Sequence, residues 1–213
     1  MTLMHTFIDR REQIWVAVQQ HLYMSVFAIV LATVISIPLA VFLSRKRKFA
    51  EPIITITALF QTIPSLALLA FIITIMGIGE TSAIVALTIY ALLPILRNTY
   101  TGLVGVDESA IEAGRGMGMT NNQILFKIRF RLALPVIMAG LRTATVITIG
   151  VTTLAAFIGA GGLGTIINIG LGTLRADLIL AGAIPAALLA LIFDGLLRWF
   201  EKIATPKGIR KNS

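Results

Sequence analysis

The chain has 213 residues, of which 57% are hydrophobic and 13% charged, and its mean hydropathy is +0.91. A soluble domain carries about 25% charged residues, so this composition excludes a soluble fold and indicates one integral membrane unit. The formal net charge is +8 and cysteine is absent, which excludes disulfides, thiol catalysis and Cys-based metal sites.

Residues 1–21 are mixed. Phe7, Ile14, Trp15 and Val18 form an apolar face, with Asp9, Arg10, Arg11 and Glu12 turned to water. This reads as an interfacial helix with Trp15 at headgroup level. No short apolar core with a small-residue cleavage site follows the charges, so a cleaved signal peptide is not expected. His5 and His21 have no partner ligands near them in sequence and read as interfacial polar residues, not a metal site.

Residues 22–44 carry no charge and are long enough to cross a bilayer, for which about 20 residues suffice. Pro38 lies inside this run, and Arg45, Lys46, Arg47 and Lys48 end it. Residues 52–79 form a second run, with Pro64 inside and Glu80 after it. Residues 81–96 form a third, closed by Arg97; it is short, so its helix is expected to continue to about Thr101. A polar, basic island follows over 107–135. Ser109 and Glu112 make an S-x-x-E helix start. Gly116 and Gly118 weaken that helix, and Thr120 to Asn122 offer caps for the next. The island therefore reads as helix, sharp turn, helix. Residues 134–158 form a fourth run, interrupted by Arg142. A Gly-rich stretch covers 159–172. The fifth run, 178–200, carries Asp194 and Arg198 in the favourable order for a helical ion pair. A polar, basic tail covers 202–213.

Charge placement orients these five spans. With the N-terminus outside, fourteen of the 18 basic residues fall inside, Arg10, Arg11 and Arg175 fall outside, and Arg142 lies in a span. This is the positive-inside pattern, and it puts the island in the cytosol. Because the basic residues flank apolar runs, the high pI of about 10.5 indicates a membrane protein and not a nucleic-acid binder.

Gly159, Gly161 and Gly164 match G-x-G-x-x-G, but they follow a span and not a strand, so a tight extracellular turn or re-entrant segment is expected. The chain contains no G-x-x-x-x-G-K-[ST], so a nucleotide site of its own is not expected. No catalytic grouping is visible, and neither metal nor cofactor is expected. Polar groups do mark the spans: Gln61, Thr62 and Ser65 around Pro64, and Thr145, Thr148 and Thr152 at helical spacing. They are candidates for a translocation path; the alternative is that their hydroxyls bond to their own helix or join neighbouring helices.

The island resembles the EAA motif of ABC importer permeases, E-A-A-x-x-x-G followed by I-x-L-P. Glu112, Ala113 and Gly114 stand at E-A-A, with Gly114 replacing the second alanine, and Gly118 stands at the motif glycine. Ile128 and Phe130 follow at I and L, and Arg131 occupies the proline place. The resemblance extends through residues 109–171 and is nearest to osmoprotectant permeases of the OpuC-like group, which handle glycine betaine, carnitine or choline.

The resemblance implies an all-α integral membrane fold of about five transmembrane helices with a cytosolic coupling helix, one permease domain over 1–213 with its coupling loop at 107–133. It implies a bacterial plasma-membrane protein that works with a second permease subunit, identical or related. Further partners would be a cytosolic ABC ATPase dimer, which hydrolyses the ATP, and an extracellular substrate-binding protein. Glu112, Ala113, Gly114 and Gly118 would form the ATPase-coupling element. Methionine-type permeases share the plan, and a non-transporting scaffold is the competitor from another class. A secondary transporter would want acidic residues at midplane, which the spans lack.

Overall fold

A computed structural model describes residues 3–205. Beyond Thr205, the tail expected over 202–213 lies outside the described residues. The described chain is helical throughout. Helix α1 (Leu3–Asp9) leads into α2 (Arg11–Arg45), a single helix of 35 residues. The break expected near residue 21 is thus at Arg10. The polar start of α2 continues the span because Ile14, Ala17 and His21 already pack inward, while Trp15 stays exposed.

A short 3-10 turn (Arg47–Phe49) joins α2 to α3 (Ala50–Thr62), and α4 (Ser65–Met76) follows at a bend of 98°. The second apolar run is therefore a bent pair. Pro64 has no N–H, and it holds Ile63 extended at φ −70°, ψ 128°. The backbone groups around this break are tied to the next helix, α5 (Glu80–Val104): the Tyr90 hydroxyl donates to the Ile63 carbonyl, and Gln61 Nε2 donates to the Tyr90 carbonyl at 2.8 Å.

The island supplies α6 (Glu108–Gly116) and α7 (Asn121–Ile124). A π-helical turn (Leu125–Arg129) joins α7 to α8 (Phe130–Thr152), which ends in a 3-10 turn (Thr153–Ile158). These segments run as one apolar helical rod, Asn121–Ile158. Arg131 is exposed in the first turn of α8, inside a continuous helix. Gly159, Gly161 and Gly162 all have positive φ, so the G-x-G-x-x-G match is a turn of the chain, leading into α9 (Leu163–Gly172). Helix α10 (Ala176–Ala204) closes the bundle. Among the described residues four helical rods are long and apolar enough to cross a membrane, and five spans result when the bent α3–α4 pair counts as one.

Small residues bring α2 close to its neighbours, while leucines and isoleucines fill the rest of the core. Helix α5 is the central one, packed between α2 and α8. The buried stripe of α2 is mostly small, with Ala17, Ser25, Ala28, Ala32, Ser36 and Ala40 beside the larger Ile14, His21, Met24 and Leu43, while Tyr23, Phe27, Val30, Val34 and Phe42 point out. Large apolar side chains outside and small ones inside suit a bilayer, where lipid is as apolar as leucine and close backbone packing holds helices together. Gly140 shows how close: a Cβ there would lie 2.5 Å from Asn98 Cβ and 2.7 Å from the Pro94 carbonyl oxygen of α5.

Candidate coupling site

The island is a small folded unit at one end of the bundle. Asp107 is the N-cap of α6; its Oδ1 accepts from the Ser109 N–H at 2.9 Å, and this bond holds the carboxyl below its ordinary pKa. The start signal assigned to Ser109 therefore belongs two residues earlier. The reason is local: Asp107 can reach the N–H two residues on, and Ser109 is already helical. Ile111 and Gly114 face inward, Glu112 and Ala113 face outward, and Arg115 is exposed one turn after Ile111, at the edge of the inner side.

Gly114 has a packing reason. A Cβ there would sit 2.5 Å from Ile128 Cδ1 and 3.4 Å from Ile124 Cγ1. The second alanine of the resembled motif is absent because the returning helix occupies its space. Gly118 has a different reason. Its φ is +76°, and a Cβ would meet nothing within 4 Å. The Gly118 N–H donates to the Arg115 carbonyl at 2.9 Å and the Met119 N–H to the Gly114 carbonyl at 3.1 Å. This is the Schellman pattern, which needs a left-handed residue at Gly118. Thr120 and Gln123 then exchange side-chain and backbone bonds in a capping box that starts the return helix.

Of the coupling candidates, Glu112, Ala113 and Gly118 are thus exposed and Gly114 is interior. Sequence reasoning passed over Met117, which is 73% exposed one turn after Ala113. The i, i+4 spacing of Ala113 and Met117 was the available signal. Together Glu112, Ala113 and Met117 form an outward surface of one carboxylate, one small residue and one long apolar side chain.

The polar residues of the spans fall into two groups. At the bend, Gln61 is tied to Tyr90, Thr62 bonds its own helix at the Leu59 carbonyl, and Thr62 and Ser65 keep open surface. On α8, Thr145, Thr148 and Thr152 are 1%, 0% and 0% exposed. Thr145 donates to the Leu141 carbonyl and Thr152 to the Thr148 carbonyl; Thr152 also lies 2.9 Å from the Ser25 hydroxyl of α2. His21 joins this layer, its Nε2–H donating to the Ile149 carbonyl at 3.0 Å. It is fully buried, so it is a helix-packing residue and not an interfacial one. Among the described residues no cluster of side chains suits a metal ion.

One ion-pair network was only half visible in the sequence. Asp194 does bond Arg198, at 3.4 Å, but its tighter partner is Arg142, with contacts of 2.8 and 3.3 Å. Arg142 also reaches Glu201 at 3.4 Å. The charge interrupting the fourth run is therefore answered by α10.

Comparison with known proteins accords with this arrangement. Residues 14–204 match the family described as binding-protein-dependent transport system inner membrane component. The chain is 48% identical to the glycine betaine/carnitine/choline transport system permease protein OpuCB of Bacillus subtilis, over 90% of this chain and 88% of that one. It is 47% identical to the carnitine transport permease protein OpuCB of Listeria monocytogenes, covering 96% and 94%. Among solved structures, an inward-facing MetNI methionine ABC transporter superposes with a TM-score of 0.81 at 25% identity, over 93% of this chain and 99% of that one. An amino acid ABC transporter with histidines shares the fold, with a TM-score of 0.75 at 19% identity. The chain belongs to the family of inner membrane components of binding-protein-dependent transport systems.

Proposed function

We propose that this permease moves quaternary ammonium osmoprotectants, of the glycine betaine, carnitine and choline kind, through a pathway it forms with a second permease subunit. An extracellular binding protein delivers the solute, and a cytosolic ABC ATPase dimer supplies the energy. The observation that carries the coupling role is the outward surface of α6, held on a rigid frame between two spans. Glu112, Ala113 and Met117 meet the ATPase, Gly118 sets the turn, and Gly114 lets α6 seat against the return helix.

The frame explains how a push on α6 travels. Gly114 rests on Ile124 and Ile128, and those residues open the helical rod that runs on to Ile158. Displacing α6 therefore moves a rod that spans the membrane, and alternating access follows from the tilt of that rod against α2 and α5.

The pathway lies between permease subunits, so open surface lines it. Thr62 and Ser65 at the bend meet that condition. Thr145, Thr148 and Thr152 are buried inside the subunit, where Thr152 joins α8 to α2 through Ser25 and Thr145 bonds its own helix, although a tilt of the rod would change their contacts. Solute choice rests mainly with the binding protein, since a quaternary ammonium is held best in an aromatic cage.

The reading is tested with the purified importer in liposomes loaded with ATP. Uptake of glycine betaine, carnitine or choline that depends on the binding protein supports it. Uptake of methionine alone would favour a methionine-type system, a reading that the likeness to the methionine transporter keeps in view.

A further inference from the structure

Between the end of α2 and the inner side of α6 lies a cleft of about 400 Å³ that the coupling role does not use. Arg45, Lys46, Arg115 and Arg129 line it, and among the described residues no carboxylate does. Its floor is made of Ile111, Ile124 and Leu125, all buried. Arg45 is held in place by a 2.8 Å bond from Nη2 to Asn122 Oδ1, and Arg115 is engaged with Glu108 at 3.2 Å. Lys46 and Arg129 make no ion pair among the described residues. Arg129 is half-buried and closes the π-helical turn, a distortion often found at functional positions. A half-buried cation without a partner is costly, and a cleft lined by four cations, of which Lys46 and Arg129 have no ion-pair partner among the described residues, favours an anion.

The position of the cleft identifies which anion. The uncharged run 22–44 of α2 spans about 34 Å at the helical rise of about 1.5 Å per residue, enough to cross a hydrocarbon core of about 30 Å. Ser44, Arg45 and Lys46 come directly after that distance, so the mouth of the cleft is at headgroup depth. We infer that this cleft binds the phosphate headgroup of an anionic phospholipid in the cytosolic leaflet, tying the end of α2 to the coupling element. The leaflet rests on the orientation and function proposed above; the cleft itself does not. The outward surface of α6 is on the other side of the helix, so a docked ATPase leaves the cleft to lipid. Basic pockets at the cytosolic ends of transmembrane helices take such headgroups elsewhere.

The test uses the complete importer in detergent, titrated with an equimolar mixture of phosphatidylglycerol and phosphatidylcholine and examined by native mass spectrometry. Wild type is expected to retain phosphatidylglycerol over phosphatidylcholine by about tenfold or more. The pair Lys46→Gln and Arg129→Gln is expected to remove most of that preference. The pair Arg47→Gln and Lys48→Gln, which removes the same charge outside the cleft, is expected to keep it. Equal retention of the two lipids by wild type would overturn the proposal without any variant being needed. Equal loss in both variant pairs would overturn it too, because net charge alone would then be acting. Displacement of the lipid by millimolar inorganic phosphate would make the occupant a soluble anion. Cross-linking of Lys46→Cys to the ATPase would give the cleft to that subunit. None of these readings depends on transport, so the lipid site and the importer assignment fail or stand separately.

Discussion

The proposed coupling loop depends on two glycines that are needed for unrelated reasons, and the difference predicts different responses to substitution. Gly118 holds a left-handed turn in open space, so a β-branched side chain fits sterically but not conformationally. Gly118→Val is expected to strain the Schellman turn by about 1–2 kcal/mol and to leave the protein in the membrane at near-normal level. Solute uptake and ATP hydrolysis stimulated by the binding protein should both fall by about tenfold, the equivalent of about 1.4 kcal/mol on a limiting step. Normal coupling in that variant would remove Gly118 from the joint. Gly114 is a packing glycine, and Gly114→Ala should cost about 1–2 kcal/mol by overpacking against Ile128. Shortening the obstacle with Ile128→Val should recover much of that loss. A double-mutant cycle on thermal stability reads this directly, and additive effects would mean that the Ile128 contact is not the cause. The sequence signalled Gly118, because a glycine after a helix and before a capping threonine has few other uses. It could not signal Gly114, whose constraint comes from a side chain fourteen positions away in the chain.

Among the elements, apolar runs and their charged ends gave five spans from composition alone, and most ends fell near where the charges put them. Two features escaped. The bend between α3 and α4 needs Pro64 together with Tyr90 and Gln61, and only the proline is a local signal. Tyr90→Phe leaves the Ile63 carbonyl without its hydroxyl donor, so a loss of about 1–3 kcal/mol in stability is expected. Unchanged melting of the purified importer would show that the bend is held by packing alone. The pairing of α8 with α10 through Arg142 was equally hidden, because Asp194 had a plausible partner in Arg198 four residues on. Asp194→Asn should destabilise by about 1–3 kcal/mol, since the network is only partly buried. Arg142→Gln should cost a similar amount, and the two changes together should cost less than their sum, because they remove the same pair; Arg198→Gln should have the smaller effect. A larger effect from Arg198 would return the main pairing to α10 itself.

For the whole molecule, the arrangement of ends is fixed by contacts, and the remaining question is which end meets the cytosol. Arg142, midway along α8, meets Asp194 and Glu201 late in α10, while Gly164 packs on Thr153 just after α8 and Gly182, early in α10, packs on Leu163; α8 and α10 are therefore antiparallel, and Thr173, just before α10, lies at the opposite end from Asn121, which opens the rod leading into α8. Thr6 donates to Asp177 at 2.6 Å, which places the start of the chain at the Thr173 end. The bond between Arg45 and Asn122 places the end of α2 at the other. The direction we propose rests on the basic residues: the Asn121 end carries the Arg45 to Lys48 run together with Arg115, Lys127, Arg129 and Arg131, and the positive-inside bias favours that end in the cytosol. The chain has no cysteine, so single probes can be added without background labelling. Thr173→Cys, exposed after α9, is expected to react with an impermeant maleimide in intact cells. Asn121→Cys, exposed at the start of the return helix, is expected to react only after permeabilisation. Both sites are exposed and polar, so labelling in permeabilised cells gives the reference for each. Labelling of Asn121→Cys from outside would reverse the orientation and remove α6 from reach of any ATPase, ending the coupling proposal even if the fold and the family assignment stood.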